Sequence, residues 1–411
     1  MFAEIAGYLQ IAPFPPVPDG LFWSALVLSA GALLGEAVFR LAGLPRIVGY
    51  SGVGVLLAAL GFGLRVDRLD GTIRLIVDLG LGLLLFELGS RVNLRWLRAN
   101  PALLLTSAAE ALLGFLAVFL LLRWLDLSFN VALACATLGV AGSAAVVGRV
   151  ASEFRTAGQV TERMITLTAL NTLVCVLAFK LVIGWLHLDR AGNWAQAIAQ
   201  PLYTFCGSWL LALLLAGLVG RVSRRLDLRD ENSVLLLLGL LVLVLATAHM
   251  LNLSTLLVPL IAGTMLRNTT ERPWVWPRHF GSAGGVLVLM LFVIVGAAWS
   301  LEAVVTGGLV AAALLVVRAL GKTVAVVALG RWSGITPRQG VALALALTPI
   351  SGTALVLLAD LYRTHPDFAP RLAPIVLSAI AFMELLGPIA VRSALRLAGE
   401  LPADGRPAAR G

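Results

Sequence analysis

Three charged side chains lie deep inside long apolar runs of this 411-residue chain: Glu110, Arg318 and Glu384. A charge held away from water needs a partner, and inside a membrane-like run it marks a candidate ion or proton pathway. A carboxylate can bind a cation and a proton in turn. A guanidinium stays protonated and must be neutralised by something else. A polar pair, Asn171-Thr172, interrupts the apolar run "LTALNTLVCVLAF". It offers an amide oxygen and a hydroxyl oxygen, neutral ligands that do not titrate near neutral pH. Glu110 and Asn171 sit at similar depths, about seven or eight residues from the same end of their runs, and Arg318 about eleven residues in, roughly 16 Å at helical rise. The expectation is that Glu110 pairs with Arg318 or acts as the titrating group. Lys322, one turn from Arg318, is expected to reach the interface, and Lys180 to snorkel at the other end of its run.

These side chains need long helices to hold them. The chain is 59% hydrophobic and 13% charged, with a mean hydropathy of +0.95, whereas a soluble domain is about 25% charged. Continuous apolar runs without period-two alternation predict an all-α polytopic membrane protein and exclude a β-barrel. Thirteen spans are expected: 21–43, 46–64, 71–89, 102–125, 128–148, 164–186, 199–220, 232–250, 253–267, 280–299, 305–329, 339–361 and 373–395. The net charge of +9 does not point to nucleic acid, because the basic residues cluster in short loops on one side. That bias predicts an outside N-terminus and a cytoplasmic C-terminus. Cys135, Cys175 and Cys206 fall within spans and read as small core residues, neither disulfides nor metal ligands. No cleavable signal is expected, and residues 401–411 read as a disordered tail.

An odd number of spans permits two six-helix halves of inverted topology joined by one linker helix. The fifth and twelfth spans then correspond, and both carry breakers: "LGVAGSAAVVG" with Gly139, Gly142 and Gly148, and "LALTPISGTALVL" with Pro349 and Gly352. Matched interrupted helices point to a transport site near the midplane. The hydroxyls at these breaks, Ser143, Thr348 and Ser351, join the candidate site.

The chain resembles the monovalent cation:proton antiporter superfamily, in particular its bacterial sodium/hydrogen and potassium/hydrogen exchanger-like branch. The resemblance is carried by "LAGLPRIVGYSGVGVLL", "LGLGLLLFELGSRVNLRWLR", "GQVTERMITLTALN", "VRALGKTVAVVALGRWSGITPRQGVALALALTPISG" and "MELLGPIAVRSALRLAGE", in that order. It implies crossed broken helices, a dimerisation part at about 21–89 and 232–299, and a core part at about 102–186 and 305–395 that moves for alternating access. It also implies a homodimer in the bacterial plasma membrane. In the family the sixth helix carries the transport aspartate, second in an Asp-Asp or Asn-Asp pair; here that position is Thr172. Before the "AVV" of the fifth helix the family commonly has Thr-Ser-Pro, and this chain has "AGSAAVV". In the family a basic residue at the position of Arg318 supports the acids of the sixth helix.

The leading functional reading is a secondary transporter exchanging sodium or potassium for protons, with Glu110 as the relocated carboxylate and Glu384 as a further candidate for proton coupling. Glu384 can alternatively serve the kink at Gly387-Pro388. The competing readings are a transporter of an anion or organic carboxylate, favoured by a positive site around Arg318, and a scaffold or sensor that moves nothing. No cofactor or metal is expected. An enzyme is not expected either, since there is no nucleotide loop, metal-ligand spacing or nucleophile motif; "GSAGGV" at 281–286 lacks a P-loop lysine.

Overall fold

The computed structural model describes residues 20–69, 71–191, 194–225, 231–269, 280–350 and 352–401. Sixteen α-helices run through them: α1 (Gly20–Ala42), α2 (Arg46–Leu57), α3 (Gly71–Arg91), α4 (Leu94–Ala99), α5 (Pro101–Trp124), α6 (Phe129–Val140), α7 (Ala144–Glu153), α8 (Gln159–Ala191), α9 (Trp194–Arg225), α10 (Glu231–Met250), α11 (Leu257–Thr269), α12 (Phe280–Ala297), α13 (Leu301–Gly330), α14 (Pro337–Ala346), α15 (Gly352–Thr364) and α16 (Ala369–Ala398). Each of the thirteen expected spans is one of these helices or, for the fifth and twelfth, a pair. The short helix α4, capped by the Asn93 side chain on the N–H groups of Arg95 and Trp96, was not expected. The expected tail from 402 onward lies outside the described residues.

Among the described residues, seven helical segments are long and apolar enough to cross a membrane by length and composition. The rest are short, like α11, or charged, like α3, which carries Arg74, Asp78, Glu87 and Arg91. Those four charges engage other charges inside the protein, so α3 does not need an apolar surface all round. The second span is irregular at its end: α2 passes into a π-helical turn, Ala58–Phe62, where Gly61 takes φ 90°, a conformation that favours glycine.

Packing divides the helices. α1–α3 associate with α10–α12, with α3 lying along α11 and α2 along α12. α5–α8 associate with α13–α16, with α13 lying along both α5 and α16. Helix α9 touches α8 on one side and α11 on the other. The α3–α11 crossing is closed by a glycine on each helix. A Cβ on Gly89 would collide with the Leu260 carbonyl, and one on Gly263 with the Phe86 carbonyl. Small residues let membrane helices approach to backbone contact, where packing drives association.

The two sets meet through ion pairs at both ends. At the Arg-rich end Arg46 of α2 bridges Glu36 of α1 at 2.8 Å and Glu153 of α7 at 2.9 Å, and Glu36 also holds Arg40. At the other end Arg74 of α3 binds Asp78 at 3.1 Å and Asp360 of α15 at 2.9 Å, and Lys180 of α8 reaches Asp360 at 3.2 Å. Lys180 is therefore tied to a carboxylate rather than extended to the interface.

The α3–α11 crossing yields a prediction. Gly263→Val must push two backbones apart, so a loss at the upper end of the roughly 1–3 kcal/mol typical of overpacking is expected. Gly239 has open space around it, so Gly239→Ala should leave stability unchanged or slightly raised. Thermal melting of both variants in detergent, read by monodispersity, distinguishes them.

Candidate functional site

Two half-helices end at the centre of the second set. α6 stops at Val140, and Ser143, in an extended conformation, caps α7 by accepting from the Val146 N–H at 3.2 Å. Gly142 sits here against Thr168 of α8. α14 starts with Pro337 and a reciprocal capping box between Thr336 and Gln339. It stops at Ala346, just ahead of Thr348-Pro349, where proline has no N–H to give and disfavours helix in the residue before it. α15 then resumes at Gly352.

Arg318 of α13 lies fully buried between these ends. Its Nε donates to the Gly139 carbonyl, Nη2 to Ala141 O at 2.8 Å, and Nη1 to Thr348 O at 2.5 Å, with Leu347 O at 3.5 Å from Nη2. Each α-helix C-terminus carries about half a negative charge. Two of them supply about one charge, enough to balance one guanidinium. No carboxylate is among these partners, so the expected Arg318–Glu110 pair is not formed. The Thr348 hydroxyl turns back to Leu345 O at 2.8 Å, and it is the Thr348 carbonyl that meets Arg318.

Glu110 pairs with Lys322 instead. Lys322 Nζ donates to Glu110 Oε2 at 2.6 Å, and both side chains are fully buried. The interface position expected for Lys322 is thus corrected: its stem crosses toward α5, close to Gly114, and its charge is consumed by an acid on the helix packed along α13. The sequence signal was a lysine one turn from Arg318 facing a repeat-related helix with one buried acid. It was misread because a long side chain is free to point either way along a helix. Asn171 Nδ2 donates to Glu110 Oε1. The Asn171 amide oxygen is buried with no hydrogen-bond partner, as is the Thr168 hydroxyl oxygen one turn earlier on α8. The Thr172 hydroxyl donates to Thr168 O within its own helix at 2.8 Å. Glu110, Lys322 and Asn171 therefore form one cluster, and Arg318 sits beside it in the α6–α14 ends.

Helix α8, which carries Asn171, is anchored at its start by a residue far along the chain. Glu400 accepts from the N–H groups of Val160 and Thr161, each at 2.7 Å, and from the Thr161 hydroxyl at 2.7 Å. This supplies the negative charge a helix N-terminus favours. Glu384 is placed apart from the cluster. It is fully buried on α16, and its Oε2 accepts from Ser51 of α2 at 3.0 Å. Ser51 was not expected in any site. Ser351 lies outside the described residues. Cys135 and Cys175 are buried and Cys206 is exposed on α9. Among the described residues no group of three or more His, Cys, Asp or Glu side chains could hold a metal ion.

The family model described as sodium/hydrogen exchanger, transmembrane, matches residues 27–397. The chain belongs to the sodium/hydrogen exchanger family. It also shares its fold with the sodium proton antiporter MjNhaP1 of Methanocaldococcus jannaschii. Against that protein's structure at pH 8 the TM-score is 0.68 at 17% identity, covering 92% of this chain and 99% of the other. Against its electron-microscopy structure the TM-score is 0.70 at 17% identity, covering 93% and 98%. No curated protein matches the chain. Within this family's fold, the two broken helices and the helices packed around them hold the cluster of Glu110, Lys322 and Asn171 inside the protein.

The pair makes a sharp energetic prediction. Lys322→Met leaves the buried Glu110 without its counter-charge, and breaking such a pair costs about 3–5 kcal/mol. Glu110→Gln removes the stranded charge, so Lys322→Met/Glu110→Gln should recover most of that loss. Arg318→Met strands several carbonyls at about 1–3 kcal/mol each, and Glu110→Gln should not restore it. A double-mutant cycle on melting temperature in detergent measures both.

Proposed function

We propose that this exchanger couples a monovalent cation, sodium or potassium, to a proton through Glu110 and Lys322, at a site exposed alternately to the two sides of the membrane. The carrying observation is the fully buried contact of 2.6 Å between Lys322 Nζ and Glu110 Oε2. In that arrangement the ammonium occupies the carboxylate a cation would need. When Lys322 gives its proton to water, the amine becomes neutral and Glu110 is free to bind the cation. The Asn171 amide oxygen, buried and without a partner, is available as a neutral ligand. The site carries zero net charge in both forms, ammonium with carboxylate or neutral amine with cation-bound carboxylate. A low-dielectric interior penalises any other combination strongly. One proton out for one cation in follows from that constraint.

This mechanism replaces the missing sixth-helix aspartate with an acid one helix away at the same depth. An anion reading needs donors on Arg318 that are open to a ligand, and its guanidinium is already spread over the carbonyls of Gly139, Ala141 and Thr348. We further propose that α5–α8 with α13–α16 move against α1–α3 with α10–α12. The ion pairs of Arg46 with Glu153 and of Arg74 with Asp360 would then open at opposite ends of the cycle. The clustering of arginines in loops on one side supports a cytoplasmic C-terminus and an external N-terminus in a bacterial plasma membrane. The resemblance supports a homodimer.

Reconstituted vesicles with an imposed pH gradient test the reading. Addition of sodium or potassium should collapse the gradient in wild type and in Thr172→Ala, and should fail to do so in Glu110→Gln by at least about tenfold in rate, the loss of a main transition-binding group. Exchange surviving unchanged in a folded Glu110→Gln would exclude Glu110 as the coupling carboxylate.

A further inference from the structure

A second fully buried acid lies outside the exchange site. Glu384 sits on α16, in the helix set that holds the Glu110 cluster, and is fully buried. Its hydrogen-bond donor Ser51, at 3.0 Å, is also fully buried and belongs to α2, in the opposite set. Three residues further along α16, Gly387 is in contact with Pro349, at the break between α14 and α15. The Glu384 turn thus joins the interrupted helix to the boundary between the two sets.

Position within the repeat strengthens this. Asn171 lies 12 residues after the first residue of α8, and Glu384 lies 15 after the first residue of α16. The two helices end corresponding halves, so Glu384 falls within one turn of the place that Asn171-Thr172 hold in the first half. The acid absent from the sixth helix has a near counterpart in the thirteenth.

We propose that Glu384 is a second proton-binding residue of the exchanger, unloaded and loaded as the Ser51–Glu384 contact breaks and re-forms. This rests on the relative movement of the two helix sets proposed above. Burial favours the protonated carboxyl and contact with water the ionised one. When α16 moves away from α2 and water reaches Glu384, the proton leaves to water; when the contact returns, Glu384 takes a proton up before it is buried against Ser51. No bond other than O–H forms or breaks. A group whose proton affinity differs between two conformations makes their equilibrium depend on pH.

Most other charges around α16 have assigned partners; on α16 itself Arg392 lies over the Phe154 ring, and its Nε has no hydrogen-bond partner. From α2 and α7, Arg46 and Glu153 pair with each other near the Arg-rich end, and Arg149 lies beside Tyr50 there. From α13, Arg318 is held by carbonyls and Lys322 by Glu110. On α15, Asp360 is bound by Arg74 and Lys180, Arg338 of α14 donates to the Leu397 carbonyl, and Arg163 of α8 to Ser333. The described parts of α6 and α12 carry no charged residue.

Two measurements on the intact protein test the proposal. The first needs no transport. Hydrogen–deuterium exchange of residues 46–57 and 369–398, corrected for intrinsic exchange, should differ between about pH 6 and pH 8.5 in wild type by about threefold or more, and this difference should vanish in Glu384→Gln. The second is cation-driven proton flux across the same range. Glu384→Gln should flatten the pH profile, Glu384→Asp should retain a pH-dependent profile, and Ser51→Ala should move its midpoint by about half a unit or more, since a polar partner of the carboxyl in the contact state is gone. A pH response in Glu384→Gln identical to wild type in both measurements would overturn the proposal. Should Glu384→Gln not fold, an unmoved midpoint in Ser51→Ala would overturn it equally. Wild type without flux but with a Glu384-dependent exchange response would count against the exchange reading and leave Glu384 as the pH-responsive group.

Discussion

A guanidinium placed between the carbonyl ends of two half-helices is the constraint on which the rest depends. Breaking a helix inside a membrane protein exposes backbone groups that no lipid can satisfy. Here the break at Val140–Ala144 and the break at Ala346–Gly352 leave carbonyls that converge on Arg318. One full positive charge meets about two half-charges from helix ends. The interrupted helices and the buried arginine each solve the other's problem. Neither would be tolerable alone in a low-dielectric setting.

Because Arg318 is committed to backbone, it does not serve the buried acid. Glu110 requires a second cation, and Lys322, one turn along the same helix, provides it at 2.6 Å. The two basic residues of α13 divide two tasks, holding the crossing together and holding the carboxylate. The difference in chemistry fits the division. A planar fork with several donors spans carbonyls from two chains of backbone, while an ammonium on a flexible stem is a point charge able to lose its proton. Asn171 then links the pair to α8, whose start is held by Glu400 from the far end of the described chain.

The boundary between the helix sets has a different character. Glycine contacts close the interior of the first set, where a side chain would collide with backbone. Across the boundary apolar packing continues, as at Leu81 of α3 against Gly352 of α15, but it is joined by ion pairs and single hydrogen bonds, Arg46 with Glu153, Arg74 with Asp360, and Ser51 with Glu384. Such contacts exchange partners with water at modest cost at the partly exposed ends, whereas tight apolar packing does not.

The sequence by itself determined the thirteen apolar segments, the two breaks and the family resemblance, because hydropathy, glycine and proline act locally and leave their mark in a short window. Asn171, Glu110 and Arg318 were also legible as odd residues in greasy surroundings, since burial of a polar group is visible wherever a run of apolar neighbours surrounds it. Partner choice was not legible. Arg318 could have turned to an acid, Lys322 to the interface and Lys180 to lipid headgroups; each long side chain reaches several groups at similar distance from its own Cα. Only the packing of α13 along α5, and of α3 against α15, decided that Lys322 meets Glu110 and that Asp360 meets Arg74 and Lys180. Ser51 carried no signal at all, because a serine in a membrane helix is ordinary until a distant helix sets a carboxylate beside it.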